Sequence, residues 1–299
     1  MLVSQFKYHL LVLSAGISWS TLAIFSKYAS DLRIDPFNQV FWRLLIGFIT
    51  ALLIAVGFFR KEIKFNQKII KYLLLNGFLF VFGFTTFAAS IYLGSPIAKA
   101  VALNYSYPLA VVILAYFIFK DLPTVKNIFA VFLSLISIAV LMELWTVSDL
   151  TKISLGDFLA WLNSFAFAGV IVWGTKIKKD LKLNPFTILF GSWFFAIPLL
   201  MLLGATLQLL NIPLFNPSFR LNFSLYEWTS LIGLGTVSSV LPISLMYFGA
   251  ARLKSFTTSL LLLSEPVCVY LAGVLLFGQQ MSVWGILGII GITISVLLV

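Results

Sequence analysis

Charge is what this sequence lacks most. Asp, Glu, Lys and Arg make up 10% of its 299 residues, against roughly 25% in ordinary soluble domains. Hydrophobic residues make up 61%, and mean hydropathy is +1.06. A soluble globule is excluded. One cysteine (Cys268) and one histidine (His9) provide no disulfide, metal cluster or haem ligation, so neither metal nor cofactor is expected. The chain has no Gly-x-x-x-x-Gly-Lys-Ser/Thr stretch, so no phosphate-cradling loop draws on ATP here. Paired acids, a His-rich site or a nucleophile beside a base are also missing, which argues against an intramembrane enzyme.

What remains is apolar runs. About 20 such residues cross a bilayer as a helix, and ten runs can be bounded: Tyr8–Tyr28, Pro36–Phe59, Ile69–Leu93, Pro96–Phe119, Asn127–Leu144, Leu155–Thr175, Pro185–Leu207, Tyr226–Ala251, Ser255–Phe277 and Val283–Val299. The first is followed by no small-residue cleavage pattern, so it is expected to be a retained helix. The expected fold class is an all-α polytopic membrane protein. Pro36, Pro96 and Pro185 fit first-turn positions, where a missing N–H costs nothing.

The few charges that exist are unevenly placed. With the N-terminus inside, cytoplasmic segments hold 14 Lys and Arg and the opposite side holds 4, namely Lys27, Arg33, Lys152 and Arg220. Acids lean outward: Asp31, Asp35, Glu143, Asp149, Asp157 and Glu227. Such asymmetry sets orientation, and it places both termini in the cytoplasm. It also explains the net charge of +10 without nucleic acid, since the bases are parcelled among loops.

Two stretches cost the most in lipid. Leu263-Ser264-Glu265-Pro266 puts a carboxylate and a proline inside a membrane-length run. A charge at bilayer depth costs at least about 2.5–3.5 kcal/mol, and Pro266 is expected to free the Leu262 carbonyl. Asn104-Tyr105-Ser106-Tyr107-Pro108 echoes it. With Pro108 set on Pro266 the runs stay in step, without a gap, through Val111/Val269, Phe119/Phe277, Val125/Val283 and Ser137/Ser295. Ser26-Lys27 and Thr175-Lys176 likewise precede Asp35-Pro36-Phe37 and Asn184-Pro185-Phe186 by one spacing. The chain reads as one five-helix unit written twice, over residues 1–146 and 147–299. Five is odd, so the second copy must be inserted upside down, the plan of secondary transporters with a midplane solute site.

The Arg43 context (Phe41-Trp42-Arg43-Leu44-Leu45), the Leu-rich Ser264-Glu265-Pro266-Val267 helix and the Gly-rich last helix resemble the EamA branch of the drug/metabolite transporter superfamily. The resemblance covers essentially the whole chain. It implies ten helices, cytoplasmic termini and export of amino acids or related metabolites. One departure is visible. The acid that such proteins often carry at the ends of the fourth and ninth helices is replaced by Lys120-Asp121 and Gly278-Gln279, so no role is carried over to those positions.

Several residues are candidates for binding or coupling. Glu265 suits a protonatable coupling group or a partner for a substrate amine, with Thr258 seven residues away on one helical face; pairing with Arg43 is its structural alternative. Arg43 offers a bidentate fork for a carboxylate, or a helix lock, or a snorkelling charge. Lys99 lies in a helix's first turn, where the dipole is already positive; an anion would suit it, and so would snorkelling. Asn104 and Tyr107, three apart, share a face in a continuous helix. Asn76, Gly83 and Ser90 form a seam on one helix, as do Thr236, Ser239 and Tyr247 on another. Trp19 and Trp193, with Trp161 and Trp173, could form an aromatic box or anchor at interfaces. Gly285, Gly288 and Gly291 suit close helix contact, within the chain or between two protomers.

The leading functional expectation is a secondary carrier for a small organic solute, working by alternating access in the bilayer, with Glu265 setting proton coupling if any exists. A nucleotide-sugar or phosphorylated-metabolite antiporter is the nearest alternative among carriers, and a channel or non-transporting scaffold the alternative of another class. Monomer and homodimer both stay open.

Overall fold

A computed structural model describes residues 2–64, 66–147, 150–210 and 219–298; side chains are described from Phe6 onward. Asp149 and Val299 lie outside the described residues. Among those described, every regular element is a helix. The helices are α1 (Leu2–Trp19), α2 (Thr21–Asp31), α3 (Pro36–Phe59), α4 (Gln67–Tyr92), α5 (Ile97–Asn104), α6 (Tyr107–Phe119), α7 (Val125–Leu141), α8 (Leu155–Leu181), α9 (Pro185–Leu209), α10 (Leu225–Gly235), α11 (Leu241–Ala250), α12 (Ser255–Leu261), α13 (Ser264–Phe277) and α14 (Val283–Leu297). Eight segments are long and apolar enough to cross a membrane: Phe6–Asp31, Pro36–Glu62, Gln67–Tyr92, Ile97–Phe119, Leu155–Leu181, Pro185–Leu209, Leu225–Ala250 and Ser255–Phe277. Val125–Leu141 and Val283–Leu297 are shorter apolar helices. Exposed Phe117, Leu202, Leu275 and Leu297 fit a lipid solvent.

Local sequence sets the ends. Pro36 and Pro185 open α3 and α9, and the side chains of Asp35 and Asn184 cap them by accepting the N–H of Asn38 and of Phe186. Pro96 is the N-cap residue of α5 instead of its first helical residue. Ser154-x-x-Asp157 and Ser224-x-x-Glu227 form full capping boxes on α8 and α10.

The two sequence halves share local structure at equal spacing. Both proline-bearing runs break: α5 gives way to α6 at Tyr105–Ser106, and α12 to α13 at Leu262–Leu263. α6 and α13 then end in left-handed residues, Lys120 (φ 60°) and Gly278 (φ 66°), and the hydroxyls of Thr124 and Ser282 cap the helices that follow. An i,i+4 ion pair precedes each capped proline, Lys27–Asp31 at 2.8 Å and Lys176–Asp180 at 2.7 Å. Both helices thus make a sharp stop at corresponding positions, a conformation that glycine adopts without strain and lysine does not.

Packing partners also come in exchanged sets. α4 packs on α8 as α11 packs on α1; α4 meets α9 as α10 meets α3; α5 and α6 lie on α8 as α12 and α13 lie on α1. α3 pairs with α9, and α7 with α14. The glycine stripe serves this last pair. A Cβ at Gly288 would sit 2.7 Å from the Leu141 backbone and one at Gly291 2.1 Å from Ser137 Oγ, while one at Gly285 would strike Tyr270. The stripe is consumed inside the chain.

One expectation is corrected here. The Leu262 carbonyl is not left free by Pro266, because the break tightens the backbone and the Glu265 N–H donates to Leu262 O at 3.0 Å. A shorter i→i+3 bond replaces the lost one.

Candidate functional site

Two breaks and one π turn converge on the interior. Glu265 is the second residue of α13, just beyond the break. The Tyr105 hydroxyl, in the break opposite, adjoins the Glu265 carboxyl group as its hydrogen-bonding neighbour. Arg43 approaches from α3. Its Nε donates to Ser239 Oγ at 2.7 Å, and its guanidinium lies over the Phe84 ring, 4.3 Å from the centroid. Ser239 belongs to a π turn, Thr236–Val240, between α10 and α11, and its hydroxyl donates to Leu234 O, five residues back, at 2.7 Å. π turns are rare and concentrate at functional sites.

Arg43 and Glu265 are close enough to interact electrostatically, yet no ion pair joins them among the described residues. Both keep part of their surface accessible. Opposite charges attract by about 2 kcal/mol even at about 8 Å when the effective dielectric is about 20, so leaving them unjoined needs a cause.

The other candidates divide. Ser239 joins Arg43. Tyr107, fully buried, donates to Ser259 O at 3.1 Å, and Asn104 accepts from Asn163 Nδ2 at 3.0 Å. The break turns them to different partners, so they do not act as one helical face. Both contacts tie the first half to the second. Trp19 meets Phe167 edge-on at 5.1 Å, and Phe167 meets Tyr107 at 4.8 Å, which builds an aromatic wall beside the break. Trp193 packs on Phe80 at 5.7 Å and against Gly47, with its buried Nε1 unpartnered. Trp161 is exposed, and Trp173 donates to Tyr72 O at 3.0 Å; neither lies beside Trp19 or Trp193 in a box.

Three candidates lie apart. Lys99 is buried in a polar cluster, its Nζ 2.8 Å from Asp157 Oδ2 and 2.8 Å from Lys152 O, while Ser95 Oγ donates to Asp157 Oδ1 at 2.6 Å. Thr258 is buried and donates to Lys254 O at 3.2 Å; the break separates it from Glu265. Tyr247 receives Asn76 Nδ2 at 3.4 Å and donates to Val170 O at 3.3 Å. Asn76, Gly83 and Ser90 are all buried along α4. Thr236, however, is only half-buried while Ser239 and Tyr247 are buried. The wider π turn shifts the helical register between them, so that seam is shorter than a regular helix would make it. An apolar recess of about 370 Å³ between α3, α4 and α9, walled by Phe48, Leu52, Phe190 and Phe194, holds nothing that recognises a polar solute.

Phe84 and Asp157 are the residues sequence reasoning missed as partners. Nothing marks one phenylalanine among 30. Asp157 carried a signal, the Ser154-x-x-Asp157 box that fixes its carboxylate at the start of α8.

Comparison with known proteins places the chain. The profile of the EamA-like transporter family matches twice, over residues 6–143 and 154–299. An uncharacterized transporter of Archaeoglobus fulgidus is 24% identical over 93% of this chain and 90% of its own length. The uncharacterized transporter YyaM of Bacillus subtilis is 23% identical over 88% and 84%. The S-adenosylmethionine uptake transporter of Rickettsia bellii is 27% identical over 36% of this chain and 38% of its own. A solved crystal structure superimposes with a TM-score of 0.76, at 17% identity, over 97% of this chain and 95% of its own, a likeness of fold.

Proposed function

The chain belongs to the EamA-like transporter family, as a multi-pass cell-membrane transporter and not an enzyme, and from that premise we propose a secondary carrier that moves a small organic solute by alternating access. Its working parts are two inverted five-helix repeats, residues 1–146 and 147–299, ten spans in all, with both termini cytoplasmic. The exchanged packing partners and the matching breaks, offset by a single residue, support the inversion, and the Lys and Arg asymmetry supports the orientation.

One observation carries the reading. A base from the first half, Arg43, and an acid from the second, Glu265, meet at interrupted helices inside the bundle and do not neutralise one another. Broken helices lining a midplane cavity are how carriers expose binding groups to a solute. Amino acids and related metabolites carry both charges, and so does S-adenosylmethionine, the solute named for the rickettsial relatives. Those relatives are named for uptake, whereas the resemblance points to export; the same geometry serves either direction.

The alternative of a phosphorylated-metabolite or nucleotide-sugar antiporter requires several bases facing the solute. Among the described residues Arg43 is so placed, whereas Lys99 is engaged by Asp157.

Counterflow in proteoliposomes tests the proposal. Purified protein loaded with an amino-acid panel or S-adenosylmethionine should exchange at least one of them, and Glu265→Gln should lower that exchange tenfold or more at equal insertion, on the order of one lost charged contact. If the variant loses flux driven by a pH gradient yet retains exchange, Glu265 carries the coupling proton. Unsaturable flux would indicate a channel, and no flux of any panel member would reject the carrier for this solute class.

A further inference from the structure

Arg43 and Glu265 have every electrostatic reason to close into an ion pair, and the structure keeps them from doing so. Two contacts stand on the arginine side. Ser239 Oγ accepts the Nε–H at 2.7 Å, which fixes the rotation of the guanidinium. The Phe84 ring, 4.3 Å away, covers one face of it. Ser239 itself cannot swing, because its hydroxyl is spent on Leu234 O within the π turn and the neighbouring Ser238 is tied to Thr21 at 2.8 Å. A regular helix would not offer this serine at this angle; the extra residue in the turn does. On the acid side, Glu265 is left with the Tyr105 hydroxyl beside it, and no other side chain hydrogen-bonds it among the described residues.

We infer that Ser239 and Phe84 are positioning residues that hold the Arg43 guanidinium back from Glu265, so that the gap keeps a free base at one end and a free acid at the other and receives a ligand bearing an amine and a carboxylate together. This rests on the carrier reading for its biological meaning, but the gap itself is a property of the resting protein. A guanidinium fixed at Nε still directs its two terminal nitrogens forward, the fork that grips a carboxylate in two places. A ligand ammonium would sit against Glu265 and Tyr105. Pre-orientation of this kind favours binding because little freedom remains to be lost when the ligand arrives.

The test has a ligand-free arm and a binding arm, both read as melting temperature of the purified full-length protein in detergent. In the first, Arg43→Gln, Glu265→Gln and the double variant are compared in the wild-type, Ser239→Ala and Ser239→Thr backgrounds. The coupling between the two charges should be small in wild type and in Ser239→Thr, which keeps the hydroxyl, and should grow in Ser239→Ala as the pair closes. Equal coupling in all three backgrounds overturns the inference. In the second arm the probes are L-methionine, 3-(methylthio)propylamine, which lacks the carboxylate, and 4-(methylthio)butanoate, which lacks the amine. Wild type should bind the zwitterion roughly tenfold or more tightly than either analogue, and Ser239→Ala or Phe84→Leu should narrow that preference, Ser239→Thr restoring it. Preference for a singly charged probe, or no stabilisation by L-methionine, rejects the ligand class. Neither arm requires flux, so failure here and failure of the carrier reading are separately visible.

Discussion

Removing the Lys99 ammonium should cost stability and leave transport per folded molecule unchanged. Lys99 Nζ contacts Asp157 Oδ2 and Lys152 O, each at 2.8 Å, and both side chains are almost wholly buried. The pair joins α5, in the first half, to the start of α8, in the second. Breaking one side of a buried pair costs about 3–5 kcal/mol, because the other charge is left uncompensated. The two sides should not be equal. With Lys99→Met, Asp157 keeps Ser95 Oγ at 2.6 Å and the Ser154 N–H at 2.8 Å, so the loss should fall near the lower figure, about 3 kcal/mol. With Asp157→Asn, the ammonium keeps only a weakened acceptor and the Lys152 carbonyl, and the loss should be at least as large. The double variant should lose about 2–3 kcal/mol less than the sum, the mark of a direct pair. Reversible unfolding in mixed detergent–SDS micelles measures all four proteins, with flux normalised to folded protein measured beside them. Stability within about 0.5 kcal/mol of wild type for Lys99→Met, or lost flux at unchanged stability, would refute the structural assignment and return Lys99 to the solute path.

Two packing predictions follow from glycines at close approaches. A Cβ at Gly174 would lie 2.2–2.3 Å from the Tyr247 ring and hydroxyl, so Gly174→Ala should cost about 1–3 kcal/mol through overpacking, and unfolding in micelles should show part of it recovered by Tyr247→Leu. Gly288→Leu should force α14 off the Leu141 backbone and lower the melting temperature without altering oligomeric state, read by light scattering; a changed oligomer with unchanged stability would place the stripe between protomers instead.

The legible part of the fold was its periodic and compositional part. Apolar runs, capped prolines and the in-step match of Pro108 with Pro266 all survive as helix positions, caps and paired breaks, because each depends on near neighbours in sequence. The illegible part arises where the backbone departs from a regular helix. The breaks at Tyr105–Ser106 and Leu262–Leu263 separate Asn104 from Tyr107, and Thr258 from Glu265, pairs that a continuous helix would align. The π turn changes the register between Thr236 and Ser239 for the same reason. Partners distant in sequence, Lys99 with Asp157 and Arg43 with Phe84, need the packed bundle to be seen at all. Glu265 stood out from sequence because its cost in lipid is intrinsic to the residue. What it faces is a matter of tertiary structure.

Whether the Arg43–Glu265 gap is reached in turn from the two sides of the membrane decides the account most directly. Ser239→Cys in a Cys268→Ser background leaves one thiol in the chain, beside Arg43, for a membrane-impermeant thiosulfonate applied to sealed vesicles of either orientation. The account predicts modification from both sides, slowed from both by a transported solute. A thiol reached from one side under every condition, or from neither, would contradict it.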